Sequence, residues 1–327
     1  MTTTTTQRLG TDHSARRYDD IRQLLPSLDN PTPLLRVARV APHLYLKLEW
    51  LNPFGSIKDR AAAYMFESLR HRGLLEGREI VEASSGNTAI ALAALAALEG
   101  VKVTITIPDG VPEENKILLR MLGAEVWPTP DDLCPVDSPK DGAIALARSL
   151  ADTDRYAWPN QYENPVNVQA HYETTGPEIW RQTEGRVRVF VAGFGTCGTI
   201  TGVGRFLKEQ DPSIRIVGVE PQPGHRLPGL KSFAEAKEPS ILDWSVIDEV
   251  IRVDDDAAYA MTTRLFREEA LMVGPSTGAV VEAATSLDGL VVGVSPDSGF
   301  KYTSFFADIL GDEGMPELGE GLRAPAR

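Results

Sequence analysis

The sequence predicts an α/β fold built around a parallel β-sheet. Six short and mostly apolar runs favour strands, at residues 44–49, 79–83, 101–107, 187–193, 214–220 and 290–295. Helical patterns separate these runs, and nearly continuous apolar strands are typical of parallel sheets that helices cover on both faces. The predicted sheet is therefore doubly wound, and ligands are expected at the carboxyl ends of its strands.

Two helices have clear boundaries in the sequence. Residues 88–100 form an Ala- and Leu-rich run that ends at Gly100, a residue suited to a helix C-cap. The segment PEENKILLRMLGA predicts another helix, with Pro112 in its first turn and acidic residues near its positive end. Beyond the α/β region, the Thr-rich residues 1–15 are expected to be a disordered leader and residues 311–327 a flexible tail.

The composition disfavours several classes of protein. The net charge of -13 argues against a nucleic-acid binder, which needs a positive field. No run of eighteen apolar residues predicts a membrane span, and the polar N-terminus lacks a signal-peptide core, so a cytoplasmic location is expected. Cys134 and Cys197 predict no disulfide framework, and no histidines are paired at metal-ligand spacing, so no metal site is expected.

Residues 52–60 (NPFGSIKDR) follow the first predicted strand. Pro53 and Gly55 bend the chain, Ser56 can cap a helix, and Lys58 then falls in the first helical turn. The positive end of the helix dipole disfavours a charged amine, which would lower the pKa of Lys58 and suit it to attack a carbonyl group. An ordinary surface lysine near a helix start is the alternative that this segment leaves open.

Residues 84–88 (SSGNT) lie between a predicted strand and the Ala-rich helix. Their hydroxyl, carboxamide and backbone N–H groups at a helix N-terminus predict an anion site. An ordinary capping turn would explain one serine and the glycine, but not this whole group of small and polar residues.

Two further polar segments lead into helices, at residues 193–199 (GFGTCGT) and 274–278 (GPSTG). In the first, glycines permit positive φ and close approach, so successive N–H groups can surround a phosphate. It is not a Walker loop, because it lacks the Gly-Lys-Ser/Thr ending. The second segment by itself indicates only a turn and a helix cap.

The order of these four segments resembles that of the fold-type II pyridoxal 5′-phosphate (PLP) enzymes, in particular the cysteine synthases and the catalytic core of cystathionine β-synthase. The resemblance extends from about residue 30 to about residue 306 and includes NQYENPVNVQAHYETTGPEI and PDSGFKYTS. It implies a tryptophan synthase β-like fold, with two domains that each contain a mostly parallel twisted sheet flanked by helices. We expect a smaller mobile domain at residues 48–162, and a larger cofactor domain formed by residues 16–47 and 163–310.

The resemblance implies a role for each matching residue. Lys58 would hold PLP as a Schiff base and later move the Cα proton, Asn87 would bond the cofactor's 3′-hydroxyl, and Ser276 would contact the pyridine nitrogen. The residues that would hold the phosphate are Gly195, Thr196, Cys197, Gly198 and Thr199. The residues that would hold the substrate carboxylate are Ser84, Ser85, Thr88 and Gln161. Cys197, Ala89 and Ser84 depart from the residues usual at their positions, which leaves the substrate less defined than the cofactor.

The implied reaction is β-replacement on a serine-type amino acid, O-acetylserine or O-phosphoserine, in which an aminoacrylate intermediate takes up sulfide or a thiol to give cysteine. Cystathionine β-synthase, acting on serine and homocysteine, stays open because TPDDLCPVDSP and PDSGFKYTSFF resemble that branch. A synthase of another β-substituted alanine is a further alternative. A catalytically silent binding protein is disfavoured by the intact Lys58, Asn87 and Ser276. The resemblance also implies a homodimer.

Residues 224–237 place His225, Arg226 and Lys231 where the family has the mouth of the active site. Our hypothesis is that Arg226 or Lys231 favours an anionic leaving group such as phosphate. A solvated rim is the alternative. His171, beside the carboxylate-binding segment, is expected to be structural.

Overall fold

The computed structural model describes residues 17–84, 86–111, 113–130 and 142–310. The expected leader and tail, Pro112 at the expected helix start, and Ser85 lie outside the described residues. Within the described part of the chain, no helix is long and apolar enough to cross a membrane.

The strands form two sheets. The larger sheet contains β1 (Leu34–Arg36), β2 (Leu44–Leu48), β7 (Val189–Gly193), β8 (Arg215–Pro221), β9 (Glu249–Val253) and β10 (Val291–Ser295). The smaller sheet contains β3 (Glu79–Ala83), β4 (Val103–Pro108), β5 (Glu125–Thr129) and β6 (Tyr156–Ala157). Their strand orders are β1-β2-β10-β7-β8-β9 and β5-β4-β3-β6. Only β1 pairs antiparallel among the described strands.

All six strands expected from apolar runs are present, and they are divided between the two sheets. The four strands that the sequence did not predict lie at sheet edges, where one side of the strand has no neighbouring strand in the part of the chain that the structure describes. The burial of β5 and β9 is broken by exposed positions, and β6 has only two residues. Such short or half-exposed edge strands give no continuous apolar signal.

Helices connect the strands and cover the sheets. They are α1 (Lys58–His71), α2 (Asn87–Glu99), α3 (Glu113–Met121), α4 (Ala143–Ala151), α5 (Pro165–Ala170), α6 (Gly176–Gln182), α7 (Gly198–Gln210), α8 (Asp255–Glu269), α9 (Pro275–Ala284) and α10 (Thr303–Leu310). A π-helical turn, His171–Thr175, joins α5 to α6, and short 3-10 helices occupy Ile21–Leu24, Glu49–Leu51, Trp244–Val246 and Gly299–Tyr302. The end of α2 at a left-handed Gly100, with φ of 67°, confirms the predicted C-cap.

The larger sheet has a hydrophobic core on each face. Val191 of β7 packs in a cluster with Val280 of α9, whereas the adjacent Phe190 packs in a second cluster with Ile200 of α7. Successive side chains of a strand point to opposite faces, so both faces of β7 are covered. This arrangement confirms the predicted burial of parallel strands between helices.

A buried ionic network attaches α1 to the larger sheet. Arg60 of α1 donates to Glu49 at 2.8 Å and to Glu178 of α6 at 2.6 Å, and Lys47 of β2 donates to Glu178 at 2.6 Å. Burial alone would raise the pKa of Glu49, but the Arg60 guanidinium lowers it to about 2. Two cations and two carboxylates therefore compensate one another away from water and fix the position of the helix that begins with Lys58.

Candidate active site

A cleft of about 590 Å³, part of it open to solvent, lies at the carboxyl ends of β7 and β10. The predicted cofactor residues that line it are Lys58, Asn87, Gly195, Thr196, Cys197, Thr199 and Ser276. They come from four segments separated in the sequence by up to about two hundred residues. The remaining one, Gly198, is the first residue of α7, directly beside this lining. The fold therefore assembles the predicted set in one place.

Lys58 is held at the start of α1 by a compact loop. The side chain of Asn52 donates to Ser56 O at 2.9 Å, and Ile57 N donates to Pro296 O at 2.8 Å. Burial in the cleft lowers the pKa of Lys58, while the nearby Asp297 favours its charged form. The lowered pKa was expected, but burial rather than the helix end is its principal cause.

The segment between β7 and α7 forms a cradle at the N-terminus of a thirteen-residue helix. A Cβ on Gly195 would lie 2.8 Å from Gly229 O, and a Cβ on Gly198 would lie 2.1 Å from Asn167 Oδ1, so neither position accepts a side chain without movement. Cys197 has a left-handed φ of 66°, and burial raises the pKa of its thiol to about 12. The thiol therefore stays neutral, and the backbone N–H groups provide the anion-binding donors.

His171 contacts this cradle through Thr199. Its Nε2 lies 3.2 Å from Thr199 Oγ1, and its Nδ1 lies 2.9 Å from Thr175 Oγ1. Burial lowers the pKa of His171 to about 3, so the imidazole is neutral and links Thr175 to Thr199 through hydrogen bonds. This placement agrees with the structural role expected for it.

Asn87 is bonded to two residues that the sequence analysis did not single out. Its Nδ2 donates to Asp297 Oδ2 at 2.7 Å, and its Oδ1 accepts from Lys301 Nζ at 2.7 Å. Burial raises the pKa of Asp297 and lowers that of Lys301. The only available signal was the family-like segment PDSGFKYTS, which contains both residues but does not indicate their contact with Asn87.

Ser84, Thr88 and Gln161, the predicted carboxylate-binding residues that the structure describes, are buried beside the cleft but do not line it. Thr88 Oγ1 donates to Gln161 Oε1 at 2.5 Å, and Gln161 Nε2 donates to Ala83 O at 3.0 Å. Ser84 Oγ accepts from Ala89 N at 3.2 Å. Asn167 links this group to the cradle, since its Nδ2 lies within bonding distance of Gln161 O and Thr196 Oγ1. These side chains shape the loop before α2, whose first-turn N–H groups are typical anion donors.

The chemistry of the lining fits PLP. The cradle can bind a phosphate group, and the amine of Lys58 can link to an aldehyde. Ser276, in the first turn of α9, offers a hydroxyl to a ring nitrogen. Ala192, Val280 and Val294 share this lining and supply the apolar walls that a planar ring needs. No group of three His, Cys, Asp or Glu side chains suited to a metal ion occurs in residues 17–84, 86–111, 113–130 or 142–310.

The loop 224–237 borders the cleft through Pro228, Gly229 and Leu230. The two cations named in the sequence analysis differ in their surroundings. Arg226 is exposed, and its backbone N–H donates to Asp255 at 2.7 Å. Lys231 Nζ lies 4.8 Å from the ring centroid of Tyr162, which follows Gln161 directly. Lys231 also lies close enough to Cys197 to act on the pKa of its thiol, so this cation is near the cradle.

An amine of lowered pKa beside a phosphate cradle, in an α/β fold with two mostly parallel sheets, is typical of a lysine-dependent PLP enzyme. Residues 26–295 match the family described as pyridoxal-phosphate dependent enzyme, and the chain belongs to this family. Its cofactor is PLP.

Three of the similar proteins have names that describe an enzymatic activity. The chain is 40% identical to a cysteine synthase of Aquifex aeolicus, across 89% of this chain and 94% of that protein. It is 38% identical to cysteine synthase B of Salmonella typhimurium, across 86% and 94% of the two chains. A crystal structure of O-ureido-L-serine synthase superposes with a TM-score of 0.82 at 34% identity, covering 90% of this chain and 97% of the other. The predicted family and fold class are thereby confirmed.

Proposed function

We propose that this enzyme replaces the β-substituent of a serine-type amino acid and forms cysteine, with O-acetylserine or O-phosphoserine as donor and sulfide or a thiol as nucleophile. The observation that carries the proposal is the convergence of Lys58, Asn87, Ser276 and the cradle in one cleft. Relatives named cysteine synthase support the choice of reaction. When bound, PLP supplies a carbonyl that links to amines and an electron-withdrawing ring that weakens the bonds at the substrate's Cα.

Lys58 supplies the amine that holds the cofactor and then carries a proton. Burial lowers the pKa of Lys58, so its Nζ is more readily unprotonated and able to attack a carbonyl than an exposed lysine would be. When it is not linked to the cofactor, Lys58 Nζ would act as the general base that takes the substrate's Cα proton. The nearby Asp297 carboxylate favours the protonated form of Lys58. The amine can therefore keep the Cα proton until the leaving group departs.

Ser276 determines how strongly the ring withdraws electrons. Its hydroxyl is neutral, so it does not force a proton onto the ring nitrogen as an aspartate would. Electron withdrawal is then moderate, which suits loss of a β leaving group. The substrate carboxylate binds at the N-terminus of α2, with Ser84, Ser85, Thr88 and Gln161 as the proposed surrounding residues.

The test is a donor and nucleophile matrix with purified, PLP-loaded enzyme. O-acetylserine, O-phosphoserine and serine are each paired with sulfide, homocysteine and hydroxyurea, and the amino-acid products are identified by mass spectrometry. Cysteine from an activated serine and sulfide is the expected main product. Serine plus homocysteine giving cystathionine would identify the alternative branch, and absence of any product would contradict the proposed reaction.

One observation favours a second candidate, a synthase of another β-substituted alanine. The solved structure that superposes at a TM-score of 0.82 is an O-ureido-L-serine synthase. Hydroxyurea is the nucleophile whose oxygen would give that product. A product of this kind in the matrix, at a rate above that with sulfide, would assign this second function.

We predict that Lys231, not Arg226, affects donor choice. Lys231 lies over Tyr162 beside the site, whereas Arg226 is exposed. An ammonium there would favour a phosphate leaving group over a neutral acetyl group. Lys231→Ala should raise the KM for O-phosphoserine about tenfold, the effect of losing roughly 1.4 kcal/mol, with a small change for O-acetylserine. Arg226→Ala is the matched control, and equal responses of both donors would show that the loop is a solvated rim.

We propose that residues 48–162 form the smaller, mobile domain and that the larger domain combines residues 16–47 with 163–310. The smaller sheet, Thr88 and Gln161 all lie within residues 48–162. Because Arg60 ties α1 of the same range to Glu178 of the larger domain, we expect the movement in the part that carries the smaller sheet and α2 rather than in α1. An anion at the N-terminus of α2 would draw this domain toward the cradle. Crystal structures with and without donor should differ by a shift of the loop before α2, and superimposable structures would contradict the proposed closure.

A homodimer and a cytoplasmic location remain proposals. The first follows from the resemblance, and closed two-fold dimers are the commonest oligomers. Light scattering should give twice the chain mass of 35.6 kDa, and a concentration-independent monomer would contradict the dimer.

A further inference from the structure

The carboxamide of Asn87 has both of its ends fixed by residues of the segment that follows β10. Its Nδ2 faces the carboxylate of Asp297, and its Oδ1 faces the ammonium of Lys301, each at 2.7 Å. A carboxylate accepts hydrogen bonds and an ammonium donates them. If the amide were reversed, its oxygen would face the carboxylate oxygen of Asp297 and its N–H groups would face the ammonium of Lys301, so neither hydrogen bond could form. The neighbours therefore determine the orientation of this amide.

An amide nitrogen carries two hydrogens, and Asp297 takes one of them. Asn87 also lines the cleft, which leaves the second hydrogen for a group bound there. We infer that Asp297 and Lys301 are positioning residues that make Asn87 present an N–H donor, rather than its oxygen, to the ring oxygen of PLP. This inference rests on the role in cofactor binding proposed for Asn87.

The contacts of Asp297 suit it to a positioning role. Its side chain is 2% exposed and accepts a hydrogen bond from the Tyr302 hydroxyl. Its Oδ1 is buried and has no hydrogen-bond partner among the described residues. A Cβ on Gly274 would lie 2.2 Å from that Oδ1, so the glycine provides the space for the carboxylate. The carboxylate is thus confined by packing and by Tyr302 to the place where it meets Asn87.

Lys301 extends the network to the loop of Lys58. Its Nζ donates to Gly55 O at 3.2 Å as well as to Asn87 Oδ1. The single ammonium therefore joins three segments: the loop before α1, the start of α2 and the 3-10 helix Gly299–Tyr302. A displacement of Lys301 would release Asn87 and the Lys58 loop together.

The orientation of Asn87 has a spectroscopic consequence. An N–H donor favours the ionised form of a ring oxygen, whereas a carbonyl oxygen would favour its protonated form. With lysine-bound PLP, the ionised form absorbs in the visible range and the protonated form in the near ultraviolet. The ratio of the two bands therefore reports which end of Asn87 faces the ring, independently of turnover.

The test compares three variants loaded with PLP. Lys301→Met removes the ammonium and keeps the aliphatic chain, so the near-ultraviolet band should grow severalfold relative to the visible band. The dissociation constant for PLP should rise about tenfold, equivalent to about 1.4 kcal/mol. Lys301→Arg retains a donor and should keep the wild-type band ratio. Lys208 lies in α7 and pairs with Asp248, away from Asn87 in the sequence; Lys208→Met is the matched control and should change neither quantity.

An unchanged band ratio and dissociation constant in folded Lys301→Met would overturn the inference. If that variant does not fold, a neutron crystal structure of the PLP-loaded wild type decides, because it shows the amide hydrogens. Asn87 Nδ2 should face the ring oxygen with Oδ1 toward Lys301, and the reverse arrangement would refute the inference. Failure of the proposed function looks different. In that case, wild-type protein would develop no visible band with PLP, or Lys58→Ala would keep it.

Discussion

Lys58→Ala should lower turnover by about 10³-fold or more, because one amine both holds the cofactor and moves the Cα proton. The visible absorbance of lysine-bound PLP should disappear, leaving PLP held only by the cradle, Asn87 and Ser276. Absorbance spectra and steady-state rates measure both effects. Because these effects arise from the amine itself, they should not depend on any change of fold.

The same substitution should leave the fold at least as stable in the absence of PLP. The pKa of Lys58 is lowered from 10.5 by burial, so its ammonium costs the folded state free energy at every pH below that value. Alanine removes this cost, and the melting temperature at pH 7 should be equal or higher. Lys208→Ala serves as the control for lysine removal in general. Wild-type turnover and an unchanged visible band in Lys58→Ala would disprove the assignment of the cofactor lysine.

Arg60→Met should produce the largest loss of stability, about 3–5 kcal/mol, because it leaves Glu49 and Glu178 buried without their main cation. The free energy of unfolding from urea titration at pH 7 measures this loss. Arg205→Met is the matched control: Arg205 pairs with Asp243 at 2.7 Å on the surface, and its loss should cost less than about 1 kcal/mol.

The loss caused by Arg60→Met should depend on pH in a defined direction. The pKa of Glu49 is about 2 in the fold against an ordinary value of 4.5. A depressed carboxyl pKa stabilises the fold fully above 4.5, and this contribution disappears as the pH falls through 2. The difference between wild type and variant should therefore be widest above pH 4.5 and narrow toward pH 2. A difference below about 1 kcal/mol at pH 7 would show that the network is dispensable.

The proposed roles of Asp297 and Lys301 make cofactor chemistry depend on a segment that is distant from Asn87 in the sequence. If Asp297 and Lys301 orient Asn87, the segment after β10 contributes to cofactor chemistry although its cations and acids lie more than two hundred residues from Asn87 in the sequence. A substitution in this segment should then change the absorbance of bound PLP even where it leaves substrate binding unchanged.

The sequence by itself determined the features that depend on neighbouring residues. Apolar runs predicted six strands, Gly100 predicted the end of α2, and the loop before Lys58 predicted its place in a first helical turn. The cofactor residues were predictable for the same reason: each lies in a short segment of unusual composition between a strand and a helix. Their convergence in one cleft was expected because parallel strands end at the same edge of a sheet.

Only the tertiary structure decided the features that depend on contacts between distant residues. The pairing of Arg60 with Glu178 spans 118 positions, and that of Asn87 with Lys301 spans 214. No local pattern distinguishes such charged residues from a solvated surface, because burial is a property of the packed chain. The burial that lowers the pKa of Lys58 arises in the same way, because packing of residues that are distant in the sequence removes water from around its amine.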